Sequence, residues 1–128
     1  MPSKLYAADK GGFREVGYWR RSEQVRYWFR QRFCQGMADP ENGTHFLSRA
    51  ITSEDVYELF ALCVEVQEAI LSDPKNWEDT ANQLLPPPPG TRISKHEYLR
   101  DVEHTQSVIQ RAAETHAPGT EYFYQEDI

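Results

Sequence analysis

"GYWRRSEQVRYWFRQRF", Gly17 to Phe33, holds five arginines and six aromatic residues, and its reading decides the fold. At 100° per residue Tyr18, Ser22, Val25, Phe29 and Phe33 fall in one narrow stripe, as on a helix with one buried face. The spacing predicts a helix over residues 17–35, stopped by Gly36. Two flanks lie outside the stripe. One carries Trp19, Arg26 and Arg30 close to a single line; the other carries Arg21, Trp28 and Arg32. A guanidinium fork suits phosphate bidentately, and a neighbouring indole stacks on a base. Equally open is that these arginines pair with acidic helices, through Glu54, Asp55, Glu58, Glu65, Asp101 or Glu103, which would brace a bundle and leave no site.

Downstream, the "GMADPENGT" loop (36–44) is dense in turn formers, and His45–Ile51 alternates weakly as one short strand. Thr52 and Ser53 offer N-caps with Glu54 and Asp55 in the first turn. Val56, Leu59, Phe60, Cys63, Val66 and Ile70 then follow at helical spacing to about Ser72. A break at Asp73-Pro74 precedes a short helix carrying Trp77, Ala81, Leu84 and Leu85. Pro86–Pro89 and Gly90 form an extended connector. Ser94 and Glu97 make a capping box for a last long helix, which buries Tyr98, Leu99, Val102, Thr105, Val108, Ile109 and Ala112. Upstream, Lys4–Ala7 reads as a short strand before a turn at Gly11-Gly12. The expected fold is mainly α: a compact three-to-four-helix bundle with at most a small β-sheet or hairpin from the N-terminus, His45–Ile51 and Tyr122–Gln125. Residues 1–128 form one domain, with a helical core at about 15–113 and an acidic C-terminal segment at 114–128.

Charge divides the chain. Residues 1–50 carry nine Lys/Arg against five Asp/Glu and residues 51–128 five against fifteen, which gives +4 and −10 within a net charge of −6. That distribution disfavours direct DNA binding and suits one small basic site on an acidic body. No apolar run reaches the ~20 residues of a membrane span, and the first ten residues lack the apolar centre of a signal peptide. A cytoplasmic protein is expected, with Cys34 and Cys63 as reduced, mostly buried thiols.

Motifs of catalysis are missing: there is no nucleophile elbow, phosphate-binding loop, dinucleotide fingerprint or H-E-x-x-H pair. His45, His96, His104 and His116 form no locally spaced ligand pair, so neither a metal nor a cofactor is implied. The expectation is a binding protein rather than an enzyme.

"EVGYWRRSEQVRYWF" resembles the signature of a family of small, largely uncharacterised bacteriophage proteins, in which a Tyr-Trp-Arg-basic tetrad opens a helix ending in Trp-Phe. "ITSEDVYELFALCVEV" is similar to that family's capped second helix, "LLPPPPG" to its Leu-Leu-Pro break and "EYLRDVEHTQSVI" to its final helix. The resemblance spans roughly Glu15 to Ala112. It implies a non-virion phage accessory protein in the bacterial host cytoplasm, and by analogy one that acts against host defences by binding.

Two functions then compete. In the first, the protein sequesters an anionic, nucleotide-type immune signal through Trp19, Arg20, Arg21, Arg26, Tyr27 and Arg30, in a homo-oligomer that completes the pocket. In the second, an acidic surface including Glu65, Glu68, Glu78 and Asp79 imitates nucleic acid and blocks a host defence protein, such as a nuclease or CRISPR effector. Charge reversal at Arg26 and Arg30, against reversal at Glu65, Glu68 and Glu78, separates the two.

Overall fold

The computed structural model describes residues 3–33 and 46–127. Cys34, Gly36, the 36–44 loop and His45 lie outside the described residues. Four strands are present: β1 (Ser3–Asp9), β2 (Gly12–Trp19), β3 (Phe46–Ile51) and β4 (Glu121–Asp127). Four helices accompany them: α1 (Glu23–Phe33), α2 (Ser53–Ser72), α3 (Trp77–Leu84) and α4 (Lys95–Glu114). The strands form a single antiparallel sheet in the order β2-β1-β4-β3.

This is an α+β fold, and it corrects the expectation of a mainly helical bundle with at most a small sheet. Residues 3–9 and 121–127, outside the expected helical core, supply the two central strands. Strand pairing across more than a hundred residues leaves no local periodicity to read, whereas each helix announces itself within one turn.

The N-terminal hairpin closes on a turn with two fixed points. Gly12 holds φ 107°, a region open to glycine. The Asp9 carboxylate accepts hydrogen bonds from the Gly11 amide (2.8 Å), from Arg14 (2.9 and 3.1 Å) and from the Thr120 hydroxyl (2.8 Å). These contacts hold the Asp9 carboxyl at about 2, with the Arg14 bond the largest cause. They also tie the hairpin to the start of β4.

The predicted helix over 17–35 is the second correction. Gly17, Tyr18 and Trp19 end β2, opposite Leu5, Lys4 and Ser3, and α1 begins only at Glu23. Alternation therefore governs these three residues: Trp19 turns into the core (2% exposed) and Tyr18 turns out (42% exposed). The alignment of Tyr18 and Ser22 with the Val25–Phe29 stripe is a coincidence of two periods. Once freed of them, α1 buries Gln24, Val25, Trp28 and Phe29.

One face of the sheet carries Leu5, Ala7, Trp19, Ile51, Tyr122, Tyr124 and Glu126, all buried. Phe29 of α1 stacks on Tyr124 at 4.0 Å between ring centroids. Gly17 lets Val108 of α4 lie directly on β2, since a Cβ at residue 17 would overlap its methyl group. The other face presents Tyr6, Phe13 and Phe123, with Phe13 stacked on Tyr6 at 4.8 Å and 59% exposed. The helices α2, α3 and α4 start and end close to their expected bounds. Thr52 and Asp55 form the reciprocal capping box of α2, and Ser94 caps α4 by accepting from the Glu97 amide. Among the described residues no helix is long and apolar enough to cross a membrane.

Candidate functional site

Trp19 fixes one wall of the site. Its indole Nε1–H donates to Thr105 Oγ1 (2.9 Å) inside the core, and its ring packs on Phe29 and edge-on to His104. Strand β2 is thereby locked under α4, and the chain turns sharply through Arg20, Arg21 and Ser22 into α1. The turn and the exposed side of α4 enclose an open cleft of about 570 Å³, lined by Tyr18, Trp19, Arg20, Arg21, Ser22, Arg100, Asp101 and His104. Its size falls within the range of small-molecule sites. A second hollow of about 340 Å³ shares Arg100 and His104 and extends along α4 past His96, Leu99, Glu103 and Ser107.

Several arginines away from the cleft are paired with carboxylates. Arg14 pairs with Asp9, Arg26 with Glu23, Arg30 with Glu126, Arg32 with Glu58 and Arg92 with Glu78. Arg20 and Arg21 are exposed and make no ion pair among the described residues. Arg100, its side chain 55% exposed, reaches Asp101 only at 3.3 Å. His104 is fixed at the cleft wall: its Nε2–H donates to the Tyr18 carbonyl oxygen at 2.6 Å. Three guanidinium groups around one cleft repel each other, and an anion placed among them relieves that repulsion.

A polar cluster lies beneath the cations. Asp101 is 5% exposed and accepts from the buried Gln24 amide (Nε2 to Oδ2, 2.9 Å), with Ser22 and Arg100 as further partners. Burial pushes the Asp101 carboxyl above the usual carboxylate range, and these hydrogen bonds, with the Arg100 charge, offset part of that rise. Thr105 passes its own hydrogen bond to the Asp101 carbonyl (2.7 Å). On α2, burial pushes the Cys63 thiol up to about 12, so this cysteine is a neutral core group.

The sequence-predicted ligand residues are thus divided. Arg20 and Arg21 line the cleft. Trp19 is a buried wall post, not a stacking surface. Arg26, Tyr27 and Arg30 lie by a separate hollow of about 290 Å³ with Glu23, Gln31 and Pro88, where Arg26 and Arg30 have carboxylate partners. Of the competing expectation, pairing with the acidic helices, Arg32 is the instance, through Glu58 of α2; Arg26 and Arg30 pair instead with Glu23 of α1 and Glu126 of β4. Tyr18, Arg100, Asp101 and His104 were missed. Their signal was the exposed i, i+4 pair Arg100 and His104, which gains meaning only when β2 is docked against α4. Of the acidic candidates, Glu65, Glu68 and Asp79 are exposed and make no ion pair among the described residues, while Glu78 faces Arg92 at 3.4 Å.

No family model, curated protein or solved structure matches this chain. Functional inference therefore starts from the cleft and its charges.

Proposed function

We propose that this protein binds a small phosphate-bearing ligand of the nucleotide type in the Arg20–Arg21–Arg100 cleft and acts by sequestering it. One observation carries the reading: two exposed arginines without a carboxylate partner among the described residues face a third arginine across a ligand-sized cleft. The guanidinium groups take the phosphates, and the exposed Tyr18 ring offers a stacking surface for a base. Sequestration needs tight binding alone, and the resemblance to small phage proteins makes a nucleotide signal of host defence the ligand to try first. A homo-oligomer that closes the open side of the cleft belongs to the same proposal.

A screen of thermal unfolding with mono-, di- and cyclic dinucleotides tests it. A ligand present at a hundred times its Kd adds about 2.7 kcal/mol of stability, and Arg20→Glu with Arg21→Glu removes that gain. The competing reading, a nucleic-acid-like acidic surface, draws on the exposed Glu65, Glu68 and Asp79. It prevails if no nucleotide stabilises the protein and reversal of those three carboxylates abolishes activity in cells.

A further inference from the structure

Gln24 is fully buried, yet only half of its amide is satisfied. Nε2–H donates to Asp101 Oδ2 at 2.9 Å, while Oε1, buried from solvent, accepts nothing among the described residues. A buried acceptor left without a donor is destabilising, and this one lies beside a buried carboxyl. The chemistry of the pair can supply that donor. An amide and a carboxylate share one hydrogen bond; an amide and a carboxylic acid share two, because the acid's O–H supplies the donor that the amide oxygen lacks.

The other oxygen of Asp101 faces Arg100. Its Oδ1 accepts from Nε and Nη2 at 3.3 Å each, both long for a charge-assisted bond. The same guanidinium lines the anion cleft. Arg100 thus stands between the Asp101 carboxylate and the open cleft.

Resting on the reading of the cleft as an anion site, we propose that Asp101 and Gln24 position Arg100. When a bound anion draws the guanidinium into the cleft, Asp101 takes up one proton and donates it to Gln24 Oε1. One proton enters from solvent per ligand bound, and no covalent bond changes. The buried acceptor is satisfied, and the carboxylate that competes for Arg100 is neutralised.

The surroundings of Asp101 limit which groups take part. From its own helix it meets Arg100 and, one turn on, Thr105, with His104 at the cleft wall; from the turn into α1 it meets Ser22 and Gln24, with Arg20 and Arg21 across the cleft; from α2, the neutral Cys63 thiol. Arg100 is the cation that hydrogen-bonds the carboxylate.

Carbon-13 NMR of the Asp101 carboxyl, with and without saturating inorganic pyrophosphate, tests the proposal, with the His104 ring followed separately. The expected result is a titration midpoint that rises on pyrophosphate binding. In Arg100→Gln the midpoint is already raised and pyrophosphate leaves it unchanged. In Asp101→Asn, whose side-chain amide can donate permanently to Gln24, pyrophosphate affinity loses the pH dependence that Asp101 confers. In the wild type that dependence weakens binding as pH rises, by up to roughly ten-fold per pH unit between the two midpoints. A midpoint that pyrophosphate does not raise, or raises equally in Arg100→Gln, overturns this inference and leaves the cleft reading intact. Failure of pyrophosphate to bind at any pH overturns both.

Discussion

At the scale of single residues, similar arginines have different work. Arg30 donates through Nε to Glu126 at 2.6 Å, and Glu126 is 1% exposed and also accepts from the Tyr124 hydroxyl. Removing Arg30 leaves a buried carboxylate without its cation, so Arg30→Ala costs about 3 kcal/mol by chemical denaturation. Arg26 pairs with Glu23 on its own helix at 2.6 Å and part-exposed, and Arg26→Ala costs about 0.5 kcal/mol or less. Equal losses would contradict this division, and charge reversal at Arg30 tests folding rather than binding. Gly17 is as demanding as Arg30. A methyl group there overlaps Val108, on α4 across the core, and Gly17→Ala destabilises by about 1–3 kcal/mol, whereas Gly17→Ala in an exposed strand would be neutral or better.

Asp9 sets a pH dependence whose sign follows from its contacts. Its carboxyl is held at about 2 in the folded state, against 3.8 for the free group. A lowered folded value means that its contribution is fully present above the unfolded value and is lost as pH falls from there through about 2. Unfolding midpoints recorded across that window should fall more steeply for the wild type than for Asp9→Asn. Parallel curves would show that the Arg14 and Thr120 contacts do not stabilise the hairpin.

At the scale of elements, what was legible depended on how local the determining contacts are. Helices α2, α3 and α4 were readable because the Thr52 and Ser94 caps, the Asp73-Pro74 break and the 3.6-residue spacing of Val56 to Ile70 all act within a few residues. The turn at Gly11-Gly12 was readable for the same reason. Strands β1, β3 and β4 were visible only as short candidates, since their pairing partners lie far apart in sequence. Residues 17–22 were misread because Tyr18 and Ser22 complete a helical stripe with Val25. The alternation of Gly17, Tyr18 and Trp19 over three residues was too short to outweigh it, and the contacts that decide, Trp19 with Thr105 and residue 17 with Val108, come from a helix some ninety residues away. The site suffered in proportion. Arg20 and Arg21 line the cleft, Arg26 and Arg30 lie by another hollow with carboxylate partners, and Arg100 and His104 were out of reach until β2 met α4.

At the scale of the molecule, an acidic chain places three exposed arginines, Arg20, Arg21 and Arg100, around one cleft. The sheet's central strands come from the two ends of the described chain, the helices cover one sheet face, and the β2–α1 turn opens against α4. Arg14, Arg26, Arg30, Arg32 and Arg92 are paired with carboxylates, whereas Arg20 and Arg21 at the cleft make no ion pair among the described residues. The most direct test is calorimetric titration of pyrophosphate into the wild type, Arg26→Gln and the double variant Arg20→Gln/Arg21→Gln. Saturable binding that survives in Arg26→Gln and weakens at least ten-fold in the double variant, about 1.4 kcal/mol or more, is the predicted result. Binding unchanged in the double variant, or lost in Arg26→Gln with the fold intact, would contradict the assignment of the cleft.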